Sequence, residues 1–340
     1  MREPAFWYRP ASWKSHLLKP LAALYGAVAA HRLKRGGLDA GIPVLCVGNY
    51  HAGGAGKTPT VLALAGLLRE LGETPVVLSR GYRGKLRGPV RVDASRHGAA
   101  DVGDEPLMLS QTLPVVVARD RAGGVALAKS QGATVILMDD GFQNPAVAKD
   151  ASLIVIDSVR GIGNAKVMPA GPLRAPLSAQ IERTDALIVI GGGGAADGVA
   201  AVVAGQGKPV LRARFRPDAA SLSALRGKRA LAFAGIGDPD RFFNTLREAG
   251  LDVASRKAFP DHHPLTANEA ASLVAEAEGG GLTLVTTEKD LARLRTPDGL
   301  PHWARDIVPF KVRLAFDEPA ALRKFVSAQL FKAREMRRVT

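Results

Sequence analysis

A chain of 340 residues with 46% apolar and 23% charged content is long enough for two units with buried cores, and its composition excludes a disordered or fibrous protein. The single cysteine, Cys46, excludes a disulfide framework or a cysteine-rich metal site and points to a packing role in a reducing compartment. A net charge of +14 asks for an anionic partner; a membrane surface or a phosphorylated substrate fits, whereas 5% aromatic content without interleaved stacking residues argues against nucleic acid.

Residues 1–40 are unlike the rest. Arg2, Arg9, Lys14 and Lys19 precede the apolar run 21–30, and Arg32, Lys34 and Arg35 follow it. The layout is that of a secretory signal. A triphosphate-type loop begins soon afterwards, however, and its ligand is cytoplasmic. The uninterrupted run of ten residues is also too short for a bilayer, which takes about 20. The expectation is a monotopic, membrane-associated helix with Trp7, Tyr8 and Trp13 at headgroup level and basic flanks drawn to anionic lipid. An ordinary buried helix with basic ends is the alternative.

The apolar stretch 43–47 reads as a strand, and it enters the glycine-rich segment His51, Ala52, Gly53, Gly54, Ala55, Gly56, Lys57, Thr58. Helical periodicity follows in Val61, Leu64, Ala65, Leu68 and Leu71. Strand, loop and helix in that order are what a phosphate-binding loop needs, because glycines let backbone N–H groups turn inward on phosphate oxygens at a helix N-terminus. Lys57 is then expected at the β- and γ-phosphates and Thr58 on Mg2+. The pattern wants glycine where this chain has His51.

Further strands are predicted at 75–79, 114–118, 134–138, 152–157 and 186–190, alternating with helical patterns. Such alternation implies an α/β fold with a mainly parallel sheet and helices on both faces, its ligands held at one strand edge. A second α/β set begins near 228: strands at 229–234, up to Phe259, and at 282–286, with Asp238-Pro239 and Thr266 opening helices. The expected division is 1–40, 41–220 and 221–340, with the junction near 215–227.

Chemistry concentrates at strand ends. Asp139 and Asp140 follow the run 134–138, as metal-holding acids do beside a phosphate-binding loop; which of the two touches the metal stays open. With Thr58 and Glu105, Asp139 completes the candidate Mg2+ positions. Asp104 and Glu105 open a probable helix, where Asp104 is either an N-cap or a carboxylate placed to accept a hydroxyl proton. His262 and His263 lie in a loop of the second unit, and one histidine in the cleft between units is a better reading than a metal site. Arg80, Arg83, Arg119, Arg121 and Arg174 are candidate contacts for an anionic substrate or the transferring phosphate, with exposed surface charge as the alternative.

Taken together, the chain resembles the tetraacyldisaccharide 4′-kinases of lipid A biosynthesis. The resemblance rests on Gly53 to Pro59, Ser79-Arg80-Gly81-Tyr82, Gly103-Asp104-Glu105-Pro106, Asp139-Asp140-Gly141-Phe142-Gln143, Pro169 to Arg174, Arg241-Phe242-Phe243, Pro260-Asp261-His262-His263 and Thr287-Glu288-Lys289-Asp290. It implies ATP- and Mg2+-dependent phosphorylation of the 4′-hydroxyl of an acylated glucosamine disaccharide 1-phosphate, at the cytoplasmic face of the bacterial inner membrane. It also implies that Asp104 activates the hydroxyl, that His262 assists it and that Asp139 serves the metal. Loops of this family commonly lack the first glycine. Two other readings stand beside it: a GTPase or ATPase of another class, and a nucleotide-regulated membrane adaptor without catalysis. Against a GTPase, Thr287 to Asp290 has the wrong order for a guanine-reading turn.

Overall fold

The computed structural model describes residues 3–10, 12–296 and 298–338, so Arg2 lies outside the described residues. Among the described residues, thirteen strands form two sheets. The strands are β1 (Val44–Gly48), β2 (Pro75–Ser79), β3 (Val90–Arg91), β4 (Val115–Val117), β5 (Val135–Asp139), β6 (Ala151–Asp157), β7 (Ala186–Ile190), β8 (Val210–Pro217), β9 (Arg229–Ala234), β10 (Asp252–Ala258), β11 (Thr283–Thr287), β12 (Val308–Phe310) and β13 (Val312–Phe316). The large sheet runs β13-β8-β7-β6-β1-β5-β2-β4-β3 and the small one β10-β9-β11-β12.

Seven neighbouring strands of the large sheet are parallel, and only the outer β13 and β3 run antiparallel to their neighbours. Both faces are covered, which is why β1, β2, β5, β6 and β7 are buried along their whole length and read as continuous apolar runs. Alternate residues divide between the faces. Leu45, Val47, Leu137 and Val155 pack on Leu64 and Leu68 of the helix Lys57–Glu70 and on Leu322, Val326 and Leu330 of the C-terminal helix Pro319–Arg338. Cys46, Ile136, Ile154 and Val189 face the opposite layer, with Val125, Ile181, Val203 and Leu33. Full burial of one such leucine or isoleucine contributes about 1.5–3 kcal/mol, so these two layers dominate the stability of the sheet.

The small sheet is parallel throughout. Phe242, Phe243 and Leu246 of the helix Pro239–Glu248 cover one face, and Leu273 and Ala277 of the helix Ala267–Gly280 cover the other. Thr266 caps the latter helix through the expected box with Glu269.

A single unit at 221–340 is not what the topology gives. After β12 the chain returns to the large sheet: β13 pairs with β8, and the helix Pro319–Arg338 packs on the same face as the helix after the glycine-rich loop. Neither β8 nor β13 reads as a strand in the sequence, because this outer pair leaves one side open and its side chains alternate, as in Leu211, Arg212, Ala213 and Arg214.

Residues 19–34 form one helix, Lys19–Lys34, preceded by a short helix, Trp13–Leu17. Ala22 and Leu33 are buried, and Gly26 faces Pro176 and Val167 at contact distance, so this side is docked on the large sheet's layer. Trp13, Leu17, Leu21, Leu24, Tyr25 and Val28 are exposed and recur at intervals that place them on the outward side. Among the described residues no helix is long and apolar enough to cross a membrane.

Candidate active site

The glycine-rich loop leaves β1 at the carboxyl edge of the large sheet. His51 needs no left-handed backbone, since it forms an antiparallel bridge with Leu173, and Ala52 N donates to Pro172 O at 2.9 Å. Its ring is fully buried, with Nδ1 on the carbonyl of Ala52 at 2.7 Å, and burial pulls its pKa down to about 4. The departure from the glycine pattern is thus absorbed by pairing with the segment 167–174. Gly56 is indispensable: its φ is +92°, and a Cβ there would come within 2.7 Å of Ile190 Cδ1. Asn49 Nδ2 donates to Gly53 O at 3.0 Å and braces the turn. Lys57 and Thr58 occupy the first turn of the following helix, half-buried and at the loop's mouth.

Asp139 ends β5, the strand beside β1, and Asp140 follows with φ +51°. The two acids have different surroundings. Arg174 grips Asp140 with both guanidinium nitrogens, at 2.7 and 3.3 Å, and Lys57 Nζ lies 3.8 Å away. Those cations outweigh burial and hold the Asp140 carboxyl far below the usual range. Asp139 is buried with Oδ1 unpartnered, and burial together with the charges of Glu105 and Asp140 pushes its pKa well upward. Arg121, 2% exposed, lies in the same charged neighbourhood as both acids, with Nε and Nη1 lacking hydrogen-bond partners. Arg80, Arg83 and Arg119 are exposed; Arg83 Nη1 donates to His262 O at 3.3 Å and Arg119 Nη2 to Gly84 O at 3.3 Å.

Asp104 and His262 meet although 158 positions separate them: His262 Nδ1 is 2.7 Å from Asp104 Oδ2. The carboxylate accepts, so Nδ1 carries the proton. Asp104 opens the helix Asp104–Leu109 after Gly103, whose φ of +92° and place 2.6 Å from Tyr82 O, measured from a built Cβ, admit no side chain. His262 comes from the loop after β10, itself at φ +59°, with the Tyr82 ring edge-on at 5.7 Å. Burial alone would raise the Asp104 carboxyl, but the hydrogen bond and charge of His262, the charge of Lys289 and the Arg293 hydrogen bond hold it well below the usual range.

Glu105, the third candidate metal position, is close enough to Asp139 to act on its charge but is itself paired. Lys289 Nζ holds its carboxylate at 3.0 Å, and a paired carboxylate is a poor ligand. No group of three or more His, Cys, Asp or Glu able to hold a metal exists among the described residues. His263 turns away from the cleft, its Nε2 on Glu269 at 2.9 Å. Of two further contributors, Lys289 stood only within the quoted stretch Thr287 to Asp290 with no role given, and Arg293 was missed. Their spacing of four on one helix face was the available signal.

Residues 14–330 match the family model described as tetraacyldisaccharide-1-P 4′-kinase. The chain is 69% identical to the tetraacyldisaccharide 4′-kinase of Bradyrhizobium diazoefficiens across 99% of both proteins, and 64% identical to that of Nitrobacter winogradskyi across 99% of this chain and 100% of the other. It also superposes on a crystal structure of the Aquifex aeolicus enzyme in complex with ATP, with a TM-score of 0.72 and 25% identity over 93% of this chain and 99% of that one.

Proposed function

Because the chain belongs to the tetraacyldisaccharide-1-P 4′-kinase family, we propose that its chemistry takes place in the cleft between the two sheets. The enzyme is an ATP-dependent kinase that transfers the γ-phosphate to the 4′-hydroxyl of an acylated glucosamine disaccharide 1-phosphate in lipid A biosynthesis. The two lobes are 41–220 with the returning 312–338, and the intervening small sheet.

One observation carries the site reading: the 2.7 Å contact between Asp104 and His262 at the edge that also holds the glycine-rich loop and Asp139. Asp104 accepts the proton of the attacking hydroxyl, and His262 orients its carboxylate. A strongly held, weakly basic carboxylate suffices here, because the transition state of phosphoryl transfer is loose and the nucleophile keeps its proton until late. The loop amides and Lys57 take the phosphates. Arg121, buried with unpartnered donors, supplies positive charge to the transferring group. Arg80, Arg83 and Arg119 face the anionic substrate, and Arg174 fixes Asp140.

Mg2+ fits the donors present. Asp139 offers a buried, unpartnered oxygen and Thr58 a hydroxyl at the loop, while Asp140 and Glu105 are committed to cations. The ion would neutralise charge on the β- and γ-phosphate oxygens.

The exposed apolar side of residues 13–28, with Lys14, Lys19, Arg32 and Lys34 around it, supports docking on an anionic membrane surface without crossing it. The cytoplasmic face of the inner membrane is where both ATP and the lipid substrate are within reach. ATP turnover measured with and without the acylated disaccharide, and against GTP, tests the reading. Turnover independent of the lipid, or preference for GTP, would sink it.

A further inference from the structure

We propose that Arg293 is a positioning residue for phosphoryl transfer, its guanidinium fixing the Asp104 carboxylate across the gap between the two sheets while Lys289, one turn earlier, holds Glu105. The proposal rests on Asp104 being the proton acceptor.

Both side chains come from the helix Glu288–Leu294, which starts where β11 ends. Thr287 caps it, its Oγ1 accepting from Asp290 N at 3.1 Å. Positions 289 and 293 lie one above the other on such a helix, so a single element presents two cations to Asp104 and Glu105, neighbours in the sequence of the other lobe. Arg293 is aimed before it crosses. Its Nη1 donates to Asp290 Oδ1 at 2.7 Å and to the carbonyls of Gly235 and His263 at 3.3 Å each, and Asp290 Oδ1 is itself fixed by Gly235 N at 3.1 Å. With Nη1 tied down, the planar fork delivers Nη2 to Asp104 Oδ2 at 2.8 Å.

Two donors therefore converge on one oxygen: Nη2 of Arg293 and Nδ1 of His262. The other oxygen, Oδ1, accepts from Glu105 N at 3.0 Å. A carboxylate held at three points cannot swing, so the direction from which it meets a hydroxyl is set. Lys289 Nζ, 3.0 Å from Glu105 and 3.4 Å from His262 Nε2, faces the same pair from the same helix. An ion pair that merely glued two surfaces together would not share its acceptor atom with the histidine. A lysine at 293 would keep the charge but could not hold Asp290 and Asp104 together.

The test uses steady-state kinetics of the full chain at saturating ATP, with the acylated disaccharide 1-phosphate varied in detergent micelles, and a thermal midpoint for each variant. Arg293→Ala is expected to lower kcat by about 10- to 100-fold with KM for ATP unchanged, and Arg293→Lys to recover part of the loss. On an Asp104→Ala background the same Arg293→Ala change should cost less than about threefold, since the carboxylate it positions is gone. Wild-type kcat in Arg293→Ala, or an equal loss on both backgrounds that follows the thermal midpoint, would overturn the positioning role. Undiminished kcat in Asp104→Ala alone would overturn the proton-acceptor reading and this role with it, and is told apart because Arg293 is intact.

Discussion

On the large sheet, the groups nearest the glycine-rich loop are loop amides, short side chains at the ends of strands buried on both faces, such as Asp139 on β5, and the cations Lys57 and Arg121 in the first turns of helices that follow such strands. On the small sheet they are long or ring-bearing side chains carried by a loop and a two-turn helix, namely His262, Lys289 and Arg293. The first arrangement suits a ligand whose charges are always in the same place, because nothing has to be ordered when a polyphosphate arrives. The second suits contacts that must reach over a gap and part again, since long side chains span several ångströms and their bonds are made one by one. On the proposed reading, rigidity serves the nucleotide and reach the second substrate.

Changes on the rigid side should therefore abolish turnover outright, and those on the reaching side should act through Asp104. The largest effect is expected for Lys57→Ala, with kcat reduced by about 1,000-fold or more and the thermal midpoint unchanged, because its proposed role is electrostatic and it opens the helix after the loop. Near-normal turnover at saturating ATP would break the comparison at its firmer end. Next come Asp104→Ala and His262→Ala, each lowering kcat by about 100- to 1,000-fold, with the double variant losing far less than the product. Fully multiplicative losses, or a loss confined to ATP affinity, would return Asp104 to helix capping.

Gly103→Ala sharpens the contrast from the backbone side. A Cβ 2.6 Å from Tyr82 O, at φ +92°, must push the first turn carrying Asp104 out of place. Unfolding free energy should fall by about 1–3 kcal/mol in a denaturant titration, with kcat down about tenfold. An unchanged titration midpoint would mean the turn is looser than its geometry. The smallest effect is expected for serine at Leu17, Leu21, Leu24 and Val28 together: binding to anionic vesicles several-fold weaker, apparent KM for vesicle-borne lipid raised, kcat on detergent-dispersed substrate unchanged. Cosedimentation equal to wild type would assign the membrane contact to another surface.

What the sequence disclosed follows from the same physics. Strands buried on both sides must be apolar at every position, so β1, β2, β5, β6 and β7 stand out as runs. The outer pair β8 and β13 alternates with arginine and passes unread. The glycine-rich loop is legible because a backbone that wraps phosphate constrains its own residue types. Long-range meetings constrain none. His262 and Asp104 were joined through a family resemblance, and Arg293 escaped because no local pattern tells where a guanidinium on a helix will end. For the complementary reason, no local pattern shows that Glu105, an acid expected at the metal, is paired with Lys289.

The return of the chain through β13 bears on how the protein is made. The large sheet receives its outermost strand and the helix Pro319–Arg338 only after the whole small sheet has been synthesised, and Leu322, Val326 and Leu330 then cover the same layer as the phosphate-loop helix. A nascent chain reaching residue 311 already carries every residue assigned to catalysis, yet the apolar layer over its nucleotide lobe is open to water. A ribosome stalled there would display a ligand-competent sequence on an incomplete scaffold, a state that chaperones have reason to hold.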